Sequence, residues 1–214
     1  MKTSLALGLM LLPALAWAEA KPKNLPKVRT GATVGLVGVL NGTATSTFDG
    51  KVYKLAVGSQ ILAGDEITTS AEGRLKLLLN DDTVINLGSN TKFIVSELSM
   101  KGGERKVSLV VKTGRFLATV AKWFGATSDW NVSTPTATAG VRGTTLWGDT
   151  DVDAICALYG TIEVTSKTGG EATKVKLDAG KCAAKMGAGK TEPLAPTSEQ
   201  VAKYLSEVMP ATKN

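Results

Sequence analysis

The chain has 214 residues, with 25 Lys and Arg against 19 Asp and Glu, which gives a formal net charge of +6. The basic residues are scattered and form no concentrated patch, so the composition argues against a nucleic-acid-binding protein. Histidine is absent, so the commonest general base and metal ligand is missing. We therefore expect no enzyme activity, no catalytic residues, no metal site and no cofactor.

The first 18 residues have the pattern of a secretory signal peptide. Lys2 supplies a positive start, residues 5–15 form an apolar run, and Ala16-Trp17-Ala18 is a small-x-small cleavage site. The apolar run is shorter than the roughly 20 residues that a membrane-spanning helix needs, and no later run approaches that length. The sequence predicts an exported chain that does not span a membrane and that works in a bacterial periplasm or outside the cell.

After a flexible leader at residues 19–29, residues 30–186 are predicted to form one β domain. Short β-branched and apolar runs alternate with turn dipeptides such as Asn41-Gly42 and Gly64-Asp65. Turn signals at intervals of roughly eight to twelve residues are typical of an all-β fold. This periodicity alone leaves a β-sandwich and a β-solenoid equally open.

The central segment, residues 133–147, reads S-T-P-T-A-T-A-G-V-R-G-T-T-L-W. Pro135, Gly140 and Gly143 are expected where the chain turns or approaches another backbone closely. Arg142 is the one charged residue of the segment. We expect a buried structural guanidinium that donates to turn carbonyls, in preference to a ligand-binding role.

The string V-R-G-T, which ends at Thr144, resembles the central signature of the FecR domain family. Residues 57–69 resemble a second family string, G-x-x-L-x-x-G-D-x-I-x-T, with Gly64 and Asp65 at its turn. The resemblance covers residues 28–185 and implies a β-helix-like solenoid of short coils. We therefore expect a β-solenoid, with a β-sandwich as the alternative, and a structural role for these motif residues.

A linker at residues 187–196 is predicted to precede the chain's one helix, at residues 197–209. Thr197 and Gln200 fit a capping box. The apolar residues of the helix fall on one face, and they are Val201, Tyr204, Leu205 and Val208. We expect this face to dock on the chain's own domain.

Cys156 and Cys182 are the only two cysteines. An even pair in an oxidising compartment predicts a disulfide. The C-x-x-C spacing of a redox pair is absent.

Asp149, Asp151 and Asp153 alternate along one short stretch. A calcium loop would need Gly at its sixth position and Glu at its twelfth, and the sequence has neither there. The pattern predicts a solvated acidic turn.

Four aromatic residues lie near the central segment in the sequence, namely Trp123, Phe124, Trp130 and Trp147. Packing in the core is the favoured interpretation. The alternative is an exposed aromatic platform for a protein partner or a sugar ring.

Well-known FecR family members span the membrane and relay iron-siderophore signals through a cytoplasmic anti-sigma segment. This sequence shows a signal peptide and neither that segment nor a transmembrane helix, so it is not expected to pass a signal inward itself. We expect a non-catalytic periplasmic binding module that contacts another envelope protein in signalling or assembly. The alternative is binding of peptidoglycan or another envelope polysaccharide.

Overall fold

The computed structural model describes residues 31–167, 173–186 and 193–211. The predicted signal peptide, the leader and linker residues 187–192 lie outside the described residues. Within the described residues the chain forms 18 strands and one helix, and the all-β prediction with a short C-terminal helix is confirmed.

The elements follow one another in short steps. In chain order they are β1 (Thr33–Asn41), β2 (Ala44–Phe48), β3 (Lys51–Lys54), β4 (Gln60–Leu62), β5 (Glu66–Thr69), β6 (Arg74–Leu79), β7 (Val84–Leu87), β8 (Lys92–Lys101), β9 (Glu104–Thr113), β10 (Arg115–Thr119), β11 (Thr127–Ser133), β12 (Ala137–Val141), β13 (Thr145–Asp149), β14 (Ala154–Tyr159), β15 (Thr161–Ser166), β16 (Lys174–Asp178), β17 (Lys181–Ala184), β18 (Pro193–Leu194) and α1 (Ser198–Val208).

The strands form two nine-stranded sheets. Sheet A has the order β18-β17-β14-β13-β10-β7-β6-β1-β4, and sheet B has the order β16-β15-β12-β11-β9-β8-β5-β2-β3. From β5 onward the chain advances in one direction along both sheets as it passes back and forth between them. This path combines the winding course of the predicted solenoid with the two-sheet arrangement of the alternative sandwich.

One irregularity in this path creates a long connection. Between β6 and β18 the chain places two consecutive strands in a sheet before it crosses, except at β10, which enters sheet A alone. Because only one strand intervenes, β11 returns parallel to β9, whereas the other strand pairs are antiparallel. The crossover loop that links β10 to β11 comprises residues 120–126.

Both sheets contribute to one core through period-two alternation. In β6 the side chains of Leu75, Leu77 and Leu79 are buried, and β9 likewise buries alternate residues from Val107 to Val111. These belong to a single cluster that draws on both sheets. Each fully buried Leu or Val side chain contributes about 1.5–3 kcal/mol relative to an exposed position.

Helix α1 docks on sheet A. Thr197 and Gln200 form the predicted capping box, with the Thr197 side chain accepting from the backbone of Gln200. Tyr204 stacks on Trp147 of β13 with ring centroids 3.9 Å apart and an interplanar angle of 13°, and Val208 is fully buried. The prediction that the apolar helix face packs on the chain's own domain is confirmed.

Candidate functional site

A cleft of about 410 Å³ lies beside the crossover loop. We call it the loop cleft; Lys122, Trp123 and Phe124 line it from the loop, and Arg142 and Gly143 line it from the β12–β13 turn. The loop cleft therefore lies between the crossover loop and the V-R-G-T turn.

Arg105 anchors the crossover loop at its two ends. Its side chain is buried on β9 and donates to Ser128 Oγ from Nε at 3.0 Å and from Nη2 at 2.9 Å. Its Nη1 donates to the carbonyl oxygen of Ala121 at 2.9 Å. One planar guanidinium therefore fixes the chain at both ends of the loop, and a fork of five donors suits this geometry.

The charge of Arg105 is only partly balanced. Nη1 lies 3.4 Å from Oδ2 of Asp81, and both side chains are fully buried. Loss of solvation on burial lowers the pKa of Arg105 from its ordinary value, and the charge of Asp81 opposes that shift. The guanidinium also lies 5.5 Å from the ring centroid of Trp123, which is within the range of a cation–π contact.

Trp123 and Phe124 differ sharply in exposure. Trp123 is half-buried, and its Nε1 donates to the carbonyl oxygen of Gly103 at 3.0 Å. Phe124 has 92% of its surface exposed. The tryptophan fixes the loop to the fold, whereas the phenylalanine makes almost no contact with its own chain.

The loop cleft is cationic. Lys122 and Arg142 are exposed, and neither makes a hydrogen bond or an ion pair with the described residues. The described lining residues include no Asp or Glu. An exposed aromatic ring thus lies beside two unpaired positive charges.

The structure corrects the prediction for Arg142, which is exposed rather than buried. In β12 the side chains of Ala137, Ala139 and Val141 face the core, so residues of the other parity face outward. This alternation places Arg142 on the outer surface. It also places Gly140 there, where an added Cβ would meet its nearest atom at 3.5 Å, so the expected close backbone approach at Gly140 is wrong.

The other residues of the central motif shape the turn. Gly143 has a φ of +60°, and an added Cβ would lie 2.8 Å from Cγ of Lys122. Thr144 is buried, and its carbonyl oxygen accepts from Val120 N at 2.8 Å, which ties the turn to the start of the crossover loop. Pro135 is exposed between β11 and β12.

Gly64 and Asp65 form the turn between β4 and β5. Gly64 has a φ of +86°. The buried carboxylate of Asp65 accepts from Leu62 N at 2.8 Å, and Asp65 N donates to the carbonyl oxygen of Leu62 at 3.1 Å. Both residues have structural contacts, in keeping with the role expected from the family string.

The four aromatic residues do not form one surface. Trp130 lies in the main core, and Trp147 lies under helix α1; both are fully buried. These two are therefore unavailable to a partner. The candidate binding surface is reduced to Trp123 and Phe124.

Cys156 and Cys182 form the predicted disulfide. They lie directly opposite each other on β14 and β17. Both are buried in the small cluster that includes Trp147 and Val208, so the bond fastens the part of sheet A on which α1 docks.

The expected solvated acidic turn is wrong for Asp149. Its buried carboxylate lies 2.6 Å from Nε of Arg115, which also lies 3.5 Å from Glu207 of α1. The hydrogen bond that Arg115 donates to Asp149 is the main cause that raises the pKa of Arg115 above its ordinary value. Arg115 thus links β10, β13 and α1.

Over residues 31–167, 173–186 and 193–211, no group of three or more Cys, Asp or Glu could hold a metal ion. No helix in the same ranges is long and apolar enough to cross a membrane.

The fold and its central motif define an all-β domain of the FecR type. Residues 65–158 match the family model described as FecR protein, so this part of the chain is a FecR domain. A comparison with curated proteins gives no match.

Two solved structures have a similar fold. Both are crystal structures of a candidate anti-sigma factor from Parabacteroides distasonis ATCC 8503, at 2.50 and 1.65 Å resolution. Each aligns with a TM-score of 0.52 and 18% identity over 65% of this chain. The aligned part spans 63% and 64% of those chains, and at this identity the likeness concerns the fold alone.

Proposed function

We propose that this protein is a non-catalytic binding module of the bacterial envelope that contacts another protein in signalling or assembly. The observation that carries the proposal is the loop cleft, where the almost fully exposed Phe124 lies beside the unpaired cations Lys122 and Arg142. The FecR family is a non-catalytic signalling family, which favours protein partners.

The loop cleft has the physical character of a binding site. Aromatic residues and arginine are enriched among the residues that contribute most to protein interfaces. Arg105 holds the loop at Ala121 and Ser128, which limits the conformational entropy that the loop would lose on binding. An exposed ring on an anchored loop can bury its surface in a partner without rearrangement of the domain.

The expected location follows from the signal-peptide pattern of residues 1–18. A mature chain in the periplasm or outside the cell would meet envelope proteins, peptidoglycan and other anionic polymers. Fractionation of cells, with markers for cytoplasm and periplasm, tests this location. Recovery with the cytoplasmic marker would refute it.

The partner is tested by site-specific photo-crosslinking in intact cells. A benzophenone amino acid replaces Phe124 in one variant and Lys54, an exposed residue of the edge strand β3, in the control. We expect a defined crosslinked protein from position 124 that is absent from position 54 and is lost when Arg142→Glu is added. Equal crosslinking from both positions, or none from position 124, would contradict the proposed site.

The alternative, binding of an envelope polysaccharide, draws on the same cations and exposed ring. Sedimentation of the purified protein with isolated sacculi separates the two functions. Co-sedimentation that disappears with Arg142→Glu, without a protein crosslink at position 124, would replace the protein-binding proposal by polysaccharide binding.

A further inference from the structure

The hydrogen-bonding groups of the loop cleft are strongly biased toward donors. Lys122 and Arg142 can only donate, and the described lining includes no Asp, Glu, Asn or Gln. The hydroxyl of Ser128 already accepts from Nε and Nη2 of Arg105. A ligand that carries hydrogen-bond acceptors and negative charge would pair with these donors.

The same cleft has an apolar side. Phe124 and Trp123 line it and also line a second cleft of about 390 Å³ on the side of the β6–β7 turn, where Met100 is 41% exposed. Asp81 and the exposed Asp82 line this second cleft, so it suits the apolar side chains of a ligand and not its carboxylates. Volumes near 400 Å³ lie at the lower end of the usual range for ligand clefts. Clefts of this size accommodate a few side chains of a bound peptide.

We propose that the loop cleft binds a short acidic peptide segment of the protein partner. A carboxylate of the segment pairs with the guanidinium of Arg142, with Lys122 as a second positive charge, and an apolar side chain packs on Phe124. This inference rests on the proposed function and names the chemistry of the partner. Arg142 suits the role because a planar guanidinium binds a carboxylate through two parallel hydrogen bonds.

The donor bias favours a carboxylate-bearing segment over a neutral polysaccharide. Sugar hydroxyls donate as well as accept, and the acceptors among the described lining side chains are the hydroxyls of Thr127 and Ser128, the latter already occupied by Arg105. Leaving buried donors unpaired costs free energy. A carboxylate is free of this cost because it only accepts.

The test is selection from a random dodecapeptide library displayed on its encoding RNA, with the full mature protein as the target. We expect the selected peptides to be enriched in Asp and Glu, with an apolar or aromatic residue close by. The dissociation constant of the most enriched peptide is then measured by fluorescence polarisation.

Three variants locate the binding site. Arg142→Gln is expected to weaken the binding of the selected peptide about tenfold or more, because it removes a charge-assisted pair. Phe124→Ala is expected to weaken it by a similar factor. Lys203→Gln, which removes an exposed charge on α1, is the matched control and should leave the dissociation constant unchanged.

The outcomes separate this inference from the proposed function. Selected peptides without acidic enrichment, or equal binding by wild type and Arg142→Gln, would overturn the inference that the bound segment is acidic. If the crosslink at position 124 persists in that case, the protein-binding function stands with a partner of different chemistry. If neither a peptide nor a crosslink is found, both proposals fail.

Discussion

Replacing Arg105 by Met should destabilise the domain strongly although Arg105 lies outside any predicted motif. The substitution keeps an unbranched apolar stem but removes the guanidinium and its hydrogen bonds to Ala121 and Ser128. It also leaves the carboxylate of Asp81 buried, with hydrogen bonds from the hydroxyl and N–H of Thr83 but without its cationic partner. Breaking a buried ion pair by removal of one partner costs about 3–5 kcal/mol.

Urea unfolding with linear extrapolation measures this cost. The exposed Arg142→Met is the control, with an expected change within about 0.5 kcal/mol. Adding Asp81→Asn to Arg105→Met should restore part of the loss, with an interaction energy of about 1–3 kcal/mol in the double-mutant cycle. A loss below about 1 kcal/mol for Arg105→Met, or strict additivity in the cycle, would refute the reasoning.

Three further changes test the fold around the site by their effect on the free energy of unfolding. Gly143→Ala should lower it by about 1 kcal/mol, since φ is positive there, whereas Gly140→Ala should change it by less than about 0.5 kcal/mol. Replacing Cys156 and Cys182 by Ala should lower it by about 3.5 kcal/mol, from the entropy of the closed loop. Tyr204→Ala should lower it by about 2 kcal/mol and shift tryptophan emission to longer wavelength, because a buried indole loses its stacked ring. Unchanged stability in any of the three lowered cases would contradict the contact concerned.

The all-β class, the capped helix and the disulfide were predictable because each depends on local patterns or on two residues. The exposed position of Arg142 also follows from the alternation of β12, because Ala137, Ala139 and Val141 face the core and the next residue therefore faces outward. An isolated charge in an uncharged segment suggested burial, but the alternation of the strand determines the face on which the side chain lies.

Arg105 could not be identified from its neighbours in the sequence. Its partners Asp81, Ala121 and Ser128 are 16 to 24 residues away. Ala121 and Ser128 meet it only because β10 enters sheet A alone and β11 returns parallel to β9. The periodicity of the sequence predicts strands, but it does not determine how many consecutive strands the chain places in one sheet before it crosses to the other.

The length of the crossover loop provides the last test of the binding site. Stacked sheets lie about 10 Å apart, a distance that roughly three extended residues can span. The crossover loop uses seven residues, whereas the other connections between the sheets, over residues 33–184, have one to five. The fold therefore does not require its full length.

Replacing residues 122–125 by two glycines leaves a five-residue connection that can still cross between the sheets. The variant loses the hydrogen bond of Trp123 to Gly103 and its contact with Arg105, which should lower the free energy of unfolding by about 1–2 kcal/mol. Circular dichroism should show an unchanged β spectrum, while binding of the selected acidic peptide should disappear. Unfolding of this variant would show that the loop is required for the fold. Retained binding would place the partner's contact elsewhere on the domain.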